Sequence, residues 1–429
     1  MRFNSPHIKV LIYGIVASFG TYFCMYAYRK PFTVATYDEL FYFGVDYKII
    51  LIIAQVLGYM LSKFLGIRII AAMKNRNRFA YLLAMIFSAE LFLLLFALTP
   101  APYNTVFMFL NGLPLGLVWG VVFSYLEGRR FTELLGVFLC SSFIVSSGAV
   151  KSVGLLVMTQ LGVNQFWMPF ITGLVFILPF LLFAWMLEKM PPPSASDISL
   201  KTERIPMNAA ARKKVLSEFL FPLIIIVGFY TFLTAMRDFR DNFSREIWDA
   251  VGFEGNAAIY TYAEVPVAIF VLLLIGLFVL IKDNFKAFMS YHILLLLGAV
   301  AVGLGTQLFQ MHLISPVAWM ILVGFGLYVC YVPFNGLFFD RMIATFRSGG
   351  NAGFLIYIAD AFGYLGSMAI LLYKNFGQSE MSWLRFFINS TYVMSVFGIA
   401  VTLFSYFYFR KKYRAKYYIS TQKSELAYE

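Results

Sequence analysis

Charge is scarce in this sequence. Only 13% of its 429 residues are Asp, Glu, Lys or Arg, against 61% hydrophobic ones. With a mean hydropathy of +0.77, that excludes an ordinary soluble domain, in which about a quarter of residues are charged. Cysteine and histidine are scarcer still. Cys24, Cys140 and Cys330 sit inside apolar runs without repeated spacing, so neither a disulfide framework nor a zinc site is indicated. His7, His292 and His312 are too scattered to form a metal-ligand set or a catalytic base. No P-loop and no nucleophile with a partner base is visible, so no enzyme, catalytic residue, cofactor or metal is expected. The formal net charge of +12 does not point to nucleic acid, because the basic residues come in short clusters between apolar runs and not on one soluble face.

What is present is apolar length. A membrane-crossing helix needs about 20 mostly apolar residues, and breaking the chain at its charged and Pro/Gly clusters predicts twelve. Their limits are 9–33, 48–66, 78–98, 104–126, 133–158, 166–188, 218–240, 256–281, 286–309, 315–339, 350–373 and 383–409. The expected fold is an all-α membrane protein of twelve transmembrane helices in two six-helix pseudo-symmetric halves. An N-terminal bundle covers 1–190, a Pro- and Ser-rich linker 191–216, a C-terminal bundle 217–410 and a basic tail 411–429. The N-terminus has no small-residue cleavage site, so the first span is expected to be retained. Lys and Arg crowd the loops on one side, with Lys74, Arg76, Arg129 and Arg130 among them, whereas "TPAPYN", "QLGVNQ" and "QMHLIS" have none. The positive-inside rule then puts both termini in the cytoplasm.

If the halves are repeats, special residues should recur at one offset, and three pairs do. Arg29 and Arg237 are 208 residues apart; Gln55 and Glu264, and likewise Lys151 and Asp360, are 209 apart. Burying an Arg, Lys or Asp at a helix centre costs roughly 2.5–3.5 kcal/mol on insertion scales, so such residues usually face a cavity. Arg29 lies 20 residues after Lys9, Lys151 18 after Glu133 and Arg237 19 after Glu218. Three cations thus reach a similar depth, about 28 Å along their helices, where snorkelling to an interface is the competing reading.

Tyr22 and Tyr26 precede Arg29 at helical spacing and are expected to share a face with it and Lys30. Gln55, Tyr59 and Lys63 form an i, i+4, i+8 stripe. Arg237 and Arg240 lie beside Asp238 and Asp241, which would neutralise them in a local ladder. Six cations (Arg29, Lys30, Lys63, Lys151, Arg237, Arg240) face four carboxylates (Asp238, Asp241, Glu264, Asp360), and the surplus favours an anionic guest such as a phosphate, which carries about −1.5 to −2 at pH 7.

At these residues the sequence resembles the organophosphate:phosphate antiporter family of the major facilitator superfamily. The first span's "YAYRKPF", the second's "GYMLSKFLG", Arg237 in "YTFLTAMRDF", Glu264 shortly before Pro266, and "SGGNAGFLIYIADAFGYLGS" in the eleventh occur in the family's order. The resemblance implies a plasma-membrane carrier of the bacterial inner-membrane type, monomeric, in which Arg29 and Arg237 hold a phosphate. Substrate-binding residues are then Arg29, Lys30, Lys63, Lys151, Arg237, Arg240, Tyr22 and Tyr26, with Gln55, Glu264 and Asp360 in coupling or gating. The departures are the loop "LGIRIIAAMKNRNR", which lacks the superfamily's usual Asp, and Lys151, near where the family has a fifth-helix His. The expected partners are the lipid bilayer and a small anion, moved by exchange. The alternatives are a proton-coupled importer of a carboxylate-bearing sugar or peptide fragment, and a membrane sensor of a phosphorylated metabolite that does not transport.

Overall fold

The computed structural model of the chain describes residues 5–72, 77–127, 129, 131–192, 209–335, 337–346 and 352–425. Most of the expected linker (193–208), part of the loop after the second span (73–76), the Gly-rich start of the eleventh (347–351) and the end of the basic tail (426–429) lie outside the described residues.

Fourteen helices are described. The first seven are α1 (Ser5–Met25), α2 (Tyr47–Ala72), α3 (Arg78–Leu98), α4 (Thr105–Leu126), α5 (Thr132–Leu161), α6 (Met168–Glu188) and α7 (Ala209–Asn242). After them come α8 (Ser244–Ala250), α9 (Ala258–Val279), α10 (Asn284–Gln310), α11 (Pro316–Phe334), α12 (Leu337–Phe346), α13 (Ala352–Leu372) and α14 (Trp383–Glu425). All except α8 and α12 contain a stretch long and apolar enough to cross a membrane, which gives the twelve spans. Exposed side chains on these helices include many large apolar ones, such as Leu178, Leu273, Phe270 and Val396, which suits a lipid-facing surface.

Several boundaries differ from the hydropathy reading; α7, for one, begins at Ala209, inside the expected linker. The first helix does not run to residue 33: α1 stops at Met25, and single 3₁₀ turns follow over Tyr26–Tyr28 and Pro31–Val34. Pro31 has no N–H to donate, so the α-helical ladder cannot continue through it. The tenth span ends at Phe334, and the apolar end assigned to it, 337–339, begins the separate short helix α12. The last helix continues well beyond residue 409. Between α1 and α2, Phe41–Tyr42 (β1) and Val45–Asp46 (β2) form an antiparallel hairpin. Its two loop residues, Phe43 and Gly44, both have positive φ, the conformation that matches strand twist.

By contact the chain divides into two compact units. The first comprises Met1–Thr202, Asp238–Leu273 and Met368–Phe387; the second comprises Glu203–Arg237, Leu274–Ser367 and Ile388–Glu429. In the first, α2 and α4 approach until Gly58, Gly112 and Gly116 meet the backbone of the opposite helix, the small-residue packing by which membrane helices associate. Phe243 stacks on Trp383 with ring centres 4.0 Å apart, and Phe239 adjoins both. In the second unit, Gly298 of α10 faces Gly326 of α11. Phe288, Phe338 and Phe409 there pack around His292, whose Nε2 is 2.8 Å from the Ser405 hydroxyl, and Phe346 packs on Phe409.

Candidate functional site

The first unit's site grows from the break after α1. The Arg29 and Lys30 amides both turn back on the Tyr26 carbonyl, at 3.0 and 2.9 Å. Beyond them Pro31 has no N–H and the Thr33 amide bonds the Lys30 carbonyl at 3.1 Å, so the Arg29 carbonyl lacks its helical donor and the Tyr28 carbonyl cannot take one from residue 31. A carbonyl left buried and unsatisfied costs about 1–3 kcal/mol, and two amides prevent that. Asn111 of α4 donates from Nδ2 to the Tyr28 carbonyl at 3.1 Å and to that of Ala89 at 3.0 Å. Gln55 of α2 donates from Nε2 to the Arg29 carbonyl at 3.0 Å and to Asn111 Oδ1 at 2.9 Å. Both amides are buried. Gln55, placed by its sequence among coupling residues, is therefore part of a strap that holds the break open.

The strap delivers Arg29 onto the α2 stripe. Its guanidinium carbon lies 3.9 Å from the centre of the Tyr59 ring and 5.8 Å from that of Tyr26, within cation–π range. Tyr22 packs edge-on against Tyr26 at 5.7 Å, and the Lys63 ammonium sits 5.5 Å from the Tyr59 ring. Tyr22, Tyr26, Gln55 and Lys63 thus gather around one arginine.

Lys30 points elsewhere. Its ammonium is 2.5 Å from Asp241 Oδ2 and 2.8 Å from Asn242 Oδ1, at the end of α7. From α5, the Lys151 ammonium reaches Asp241 Oδ1 at 2.5 Å, bonds the Asp241 carbonyl, and lies 3.2 Å from the Ser244 hydroxyl. Ser147, one turn before Lys151, donates to the same carboxylate. One carboxylate so bridges two ammonium groups, and all three side chains are nearly buried, at 8%, 12% and 3% exposure for Lys30, Asp241 and Lys151. Next to this triad, Arg240 Nη1 bonds Glu264 Oε1 of α9 at 2.6 Å. At Asp241 and Arg240 the bonding reaches beyond the local ladder expected along α7, to partners on the break, α5 and α9. Helices α5 and α9 touch closely here, since a Cβ at Gly148 would fall on the Tyr260 carbonyl and the Ser152 and Thr261 hydroxyls are 2.7 Å apart.

A second ion pair lies at the start of α2. Lys48, buried, meets Glu246 of α8 at 2.5 Å. Burial lifts the Glu246 carboxyl above its usual range, with Lys48 opposing the shift. Beside it Asn375 clasps the β-hairpin, accepting from the Asp46 amide at 3.3 Å and donating to the Gly44 carbonyl at 3.0 Å.

Arg237 and Asp360 belong to the second unit. The Arg237 guanidinium carbon is 3.8 Å from the Tyr331 ring centre, Tyr331 stacks on Tyr230 at 5.5 Å, and the Tyr230 hydroxyl donates to Asp360 Oδ1 at 2.6 Å. Both units therefore set an arginine flat against a tyrosine. Among the described residues no group of three or more His, Cys, Asp or Glu is placed to hold a metal ion.

Sequence reasoning passed over Asn111, Glu90, Lys48 and Glu246 as site residues and reduced Asp241 to a local counter-ion. Asn111 and Glu90 did carry a signal: each is a strongly polar side chain alone in the middle of an apolar span, the same criterion that singled out Gln55.

These features define a polytopic all-α membrane protein with the fold of the major facilitator superfamily. Solved structures with that fold align over nearly the whole chain. A nucleoside transporter, NupG, aligns at TM-score 0.60 and 12% identity, covering 92% of this chain and 98% of that one. A D-xylose-proton symporter aligns at TM-score 0.59 and 13% identity, covering 93% and 96%. No curated protein sequence matches. The chain belongs to the family described as a family of unknown function, DUF5690, whose model matches residues 31–412.

Proposed function

We propose that this protein is an alternating-access secondary transporter of a small anion, with phosphate or a phosphorylated metabolite as the cargo class and both termini on the cytoplasmic side. One observation carries the reading: within the first unit, four cations share one neighbourhood with three carboxylates. Lys30, Lys151 and Asp241 are bonded together and Arg240 is bonded to Glu264. Arg29 and Asp238 are electrostatic neighbours of Lys30, and Lys151 is one of Glu264. Over these seven groups the surplus is one positive charge, and the bonded side chains are nearly buried, where an unbalanced charge is costly. A visiting anion removes that cost.

The same geometry supports exchange. An anion that takes Lys30 and Lys151 as donors competes with Asp241, and so loosens the tie between the end of α7 and both the break and α5. Departure of the anion restores the tie, so anion for anion is the favoured cycle. In this reading Arg29 supplies bidentate donors to an anionic group, framed by Tyr22, Tyr26 and Lys63, and Arg237 is the corresponding donor of the second unit. A second reading, proton-coupled import of a sugar or nucleoside, draws on the names of the fold neighbours and on the tyrosine rings around Arg29, which suit a ring-shaped guest.

A thermal-shift panel of inorganic phosphate, phosphate esters, carboxylates, sugars and nucleosides on the purified protein separates these readings. A ligand at about 100 times its Kd stabilises by about 2.7 kcal/mol, a rise of several degrees. Phosphate or an ester should give that rise in wild type and lose it in Arg29→Gln and in Arg237→Gln. A response to sugars or nucleosides alone, or to nothing anionic, would defeat the anion reading. Counterflow of labelled phosphate in proteoliposomes then distinguishes a carrier from a sensor.

A further inference from the structure

Helix α3 carries one acidic side chain, Glu90, and none of the ion pairs described above uses it. It is 5% exposed, and both of its carboxyl oxygens are buried without a hydrogen-bond partner. Asp241, Glu246, Glu264 and Asp360 each bond a cation or a donor; Glu90 bonds neither. Twelve residues after Arg78, it lies about 18 Å along the helix, well inside a hydrocarbon layer about 30 Å thick.

Among the described residues, the groups that face Glu90 from α6, from the turn after α1 and from α4 are uncharged. From α6, Gly173 faces it, and a Cβ there would fall on the carboxyl group, so a missing side chain provides its room. From the end of α1 the neighbouring ionisable groups are Tyr28 and, next to that, Cys24. The Tyr28 hydroxyl is also buried with no partner. Helix α4 offers Asn111, already committed to the carbonyls of Tyr28 and Ala89. The sole charged or phenolic side chains of α4 and α6, Tyr125 and Glu188, lie at the far ends of those helices and bond each other at 2.6 Å.

We propose that Glu90 is a proton-binding site, and that its occupancy couples transport to the proton gradient. An isolated carboxylate taken out of water costs several kcal/mol, and the group escapes that cost by neutralising. Protonation forms one O–H bond at an Oε atom with a proton delivered by hydronium, whose own O–H bond breaks to leave water, and release reverses both changes. Its neighbour Ala89 shares the Asn111 amide with Tyr28, so the site abuts the strap that holds the break before Arg29. Loading and release of the proton act on the segment that presents Arg29 and Lys30. The coupling role rests on the anion-carrier reading and replaces its anion-for-anion cycle with net uptake of anion and proton together; proton binding at Glu90 rests on neither.

Infrared difference spectroscopy of the full-length protein in lipid at neutral pH tests the site. Wild type should show the stretch of a protonated carboxyl that disappears in Glu90→Gln, a variant of nearly the same shape whose unfolding midpoint should stay near that of wild type. A spectrum without the band, or a band unchanged in Glu90→Gln, overturns the site. In proteoliposomes an imposed proton gradient should raise accumulation of labelled inorganic phosphate above the level without a gradient in wild type, and the two levels should coincide in Glu90→Gln. Gradient-driven accumulation that survives the substitution overturns the coupling. A wild type that moves no phosphate under either condition sinks the anion reading instead, and the infrared band then decides Glu90 alone.

Discussion

Replacing Asp241 with Asn is expected to lower stability by roughly 3–5 kcal/mol, the usual cost of removing one partner from a buried ionic group. Asn can still accept a hydrogen bond, but it no longer separates two ammonium groups with negative charge, and Lys30 and Lys151 are too enclosed for water to do so. The effect should be lopsided. Lys30→Met leaves an ordinary Lys151–Asp241 pair, supported by the Ser147 and Ser244 hydroxyls, and should cost clearly less than Asp241→Asn. Replacing all three groups by apolar residues of similar volume should recover most of the loss, since desolvation is then no longer paid. Unfolding midpoints measured in one detergent compare the three variants. An Asp241→Asn protein as stable as wild type would mean that the two lysines reach water, and the surplus-charge argument for an anion would go with it.

Much of this was legible in the sequence because the membrane itself does the sorting. Hydrophobic length alone recovers all twelve spans, since every backbone group in lipid must be bonded within its own helix. The same measure fails where backbone bonding matters and hydropathy does not change. It runs the first helix to residue 33, through "YRKPFTV", although Pro31 ends the ladder and Arg29 and Lys30 then stand on a break. It likewise merges the apolar start of α12 with the tenth span. At the candidate site, residue type was legible and partner was not. Gln55, Lys151 and Glu264 stand out as polar groups in apolar surroundings. That Gln55 serves the Arg29 carbonyl, or that Asp241 serves two lysines far away in sequence, depends on distances that no local spacing encodes. The i, i+3 spacing along α7 even suggested different pairs. Glu90 shows the converse: a single acid in "MIFSAELFLLL" lacks any sequence neighbour to argue with, and only its isolation in three dimensions gives it meaning.

Gly112→Val should be strongly disruptive in the first unit, and it should damage the Arg29 site together with the fold. A Cβ at Gly112 would fall on the Gln55 carbonyl oxygen and lie 2.8 Å from the Tyr59 amide nitrogen, while one at Gly116 would lie 2.6 Å from the Tyr59 carbonyl oxygen. These are backbone atoms, which cannot rotate aside as a side chain can, so the larger residue must push α2 away from α4. Overpacking of this kind costs about 1–3 kcal/mol, occasionally more. The displaced segment of α2 is the one that carries Gln55, which bonds the Arg29 carbonyl, and Tyr59, which lies against the guanidinium. The strap and the platform therefore shift together. A lower unfolding midpoint and a reduced phosphate-induced shift are both expected. Gly228→Ala on α7 is the control: a Cβ there meets open space, and Ala favours a helix over Gly by up to about 1 kcal/mol, so its midpoint should not fall. If Gly112→Val kept both the wild-type midpoint and the wild-type response to phosphate, α2 and α4 would have to be separable without moving Arg29, and the positioning role assigned to Gln55 and Tyr59 would be wrong.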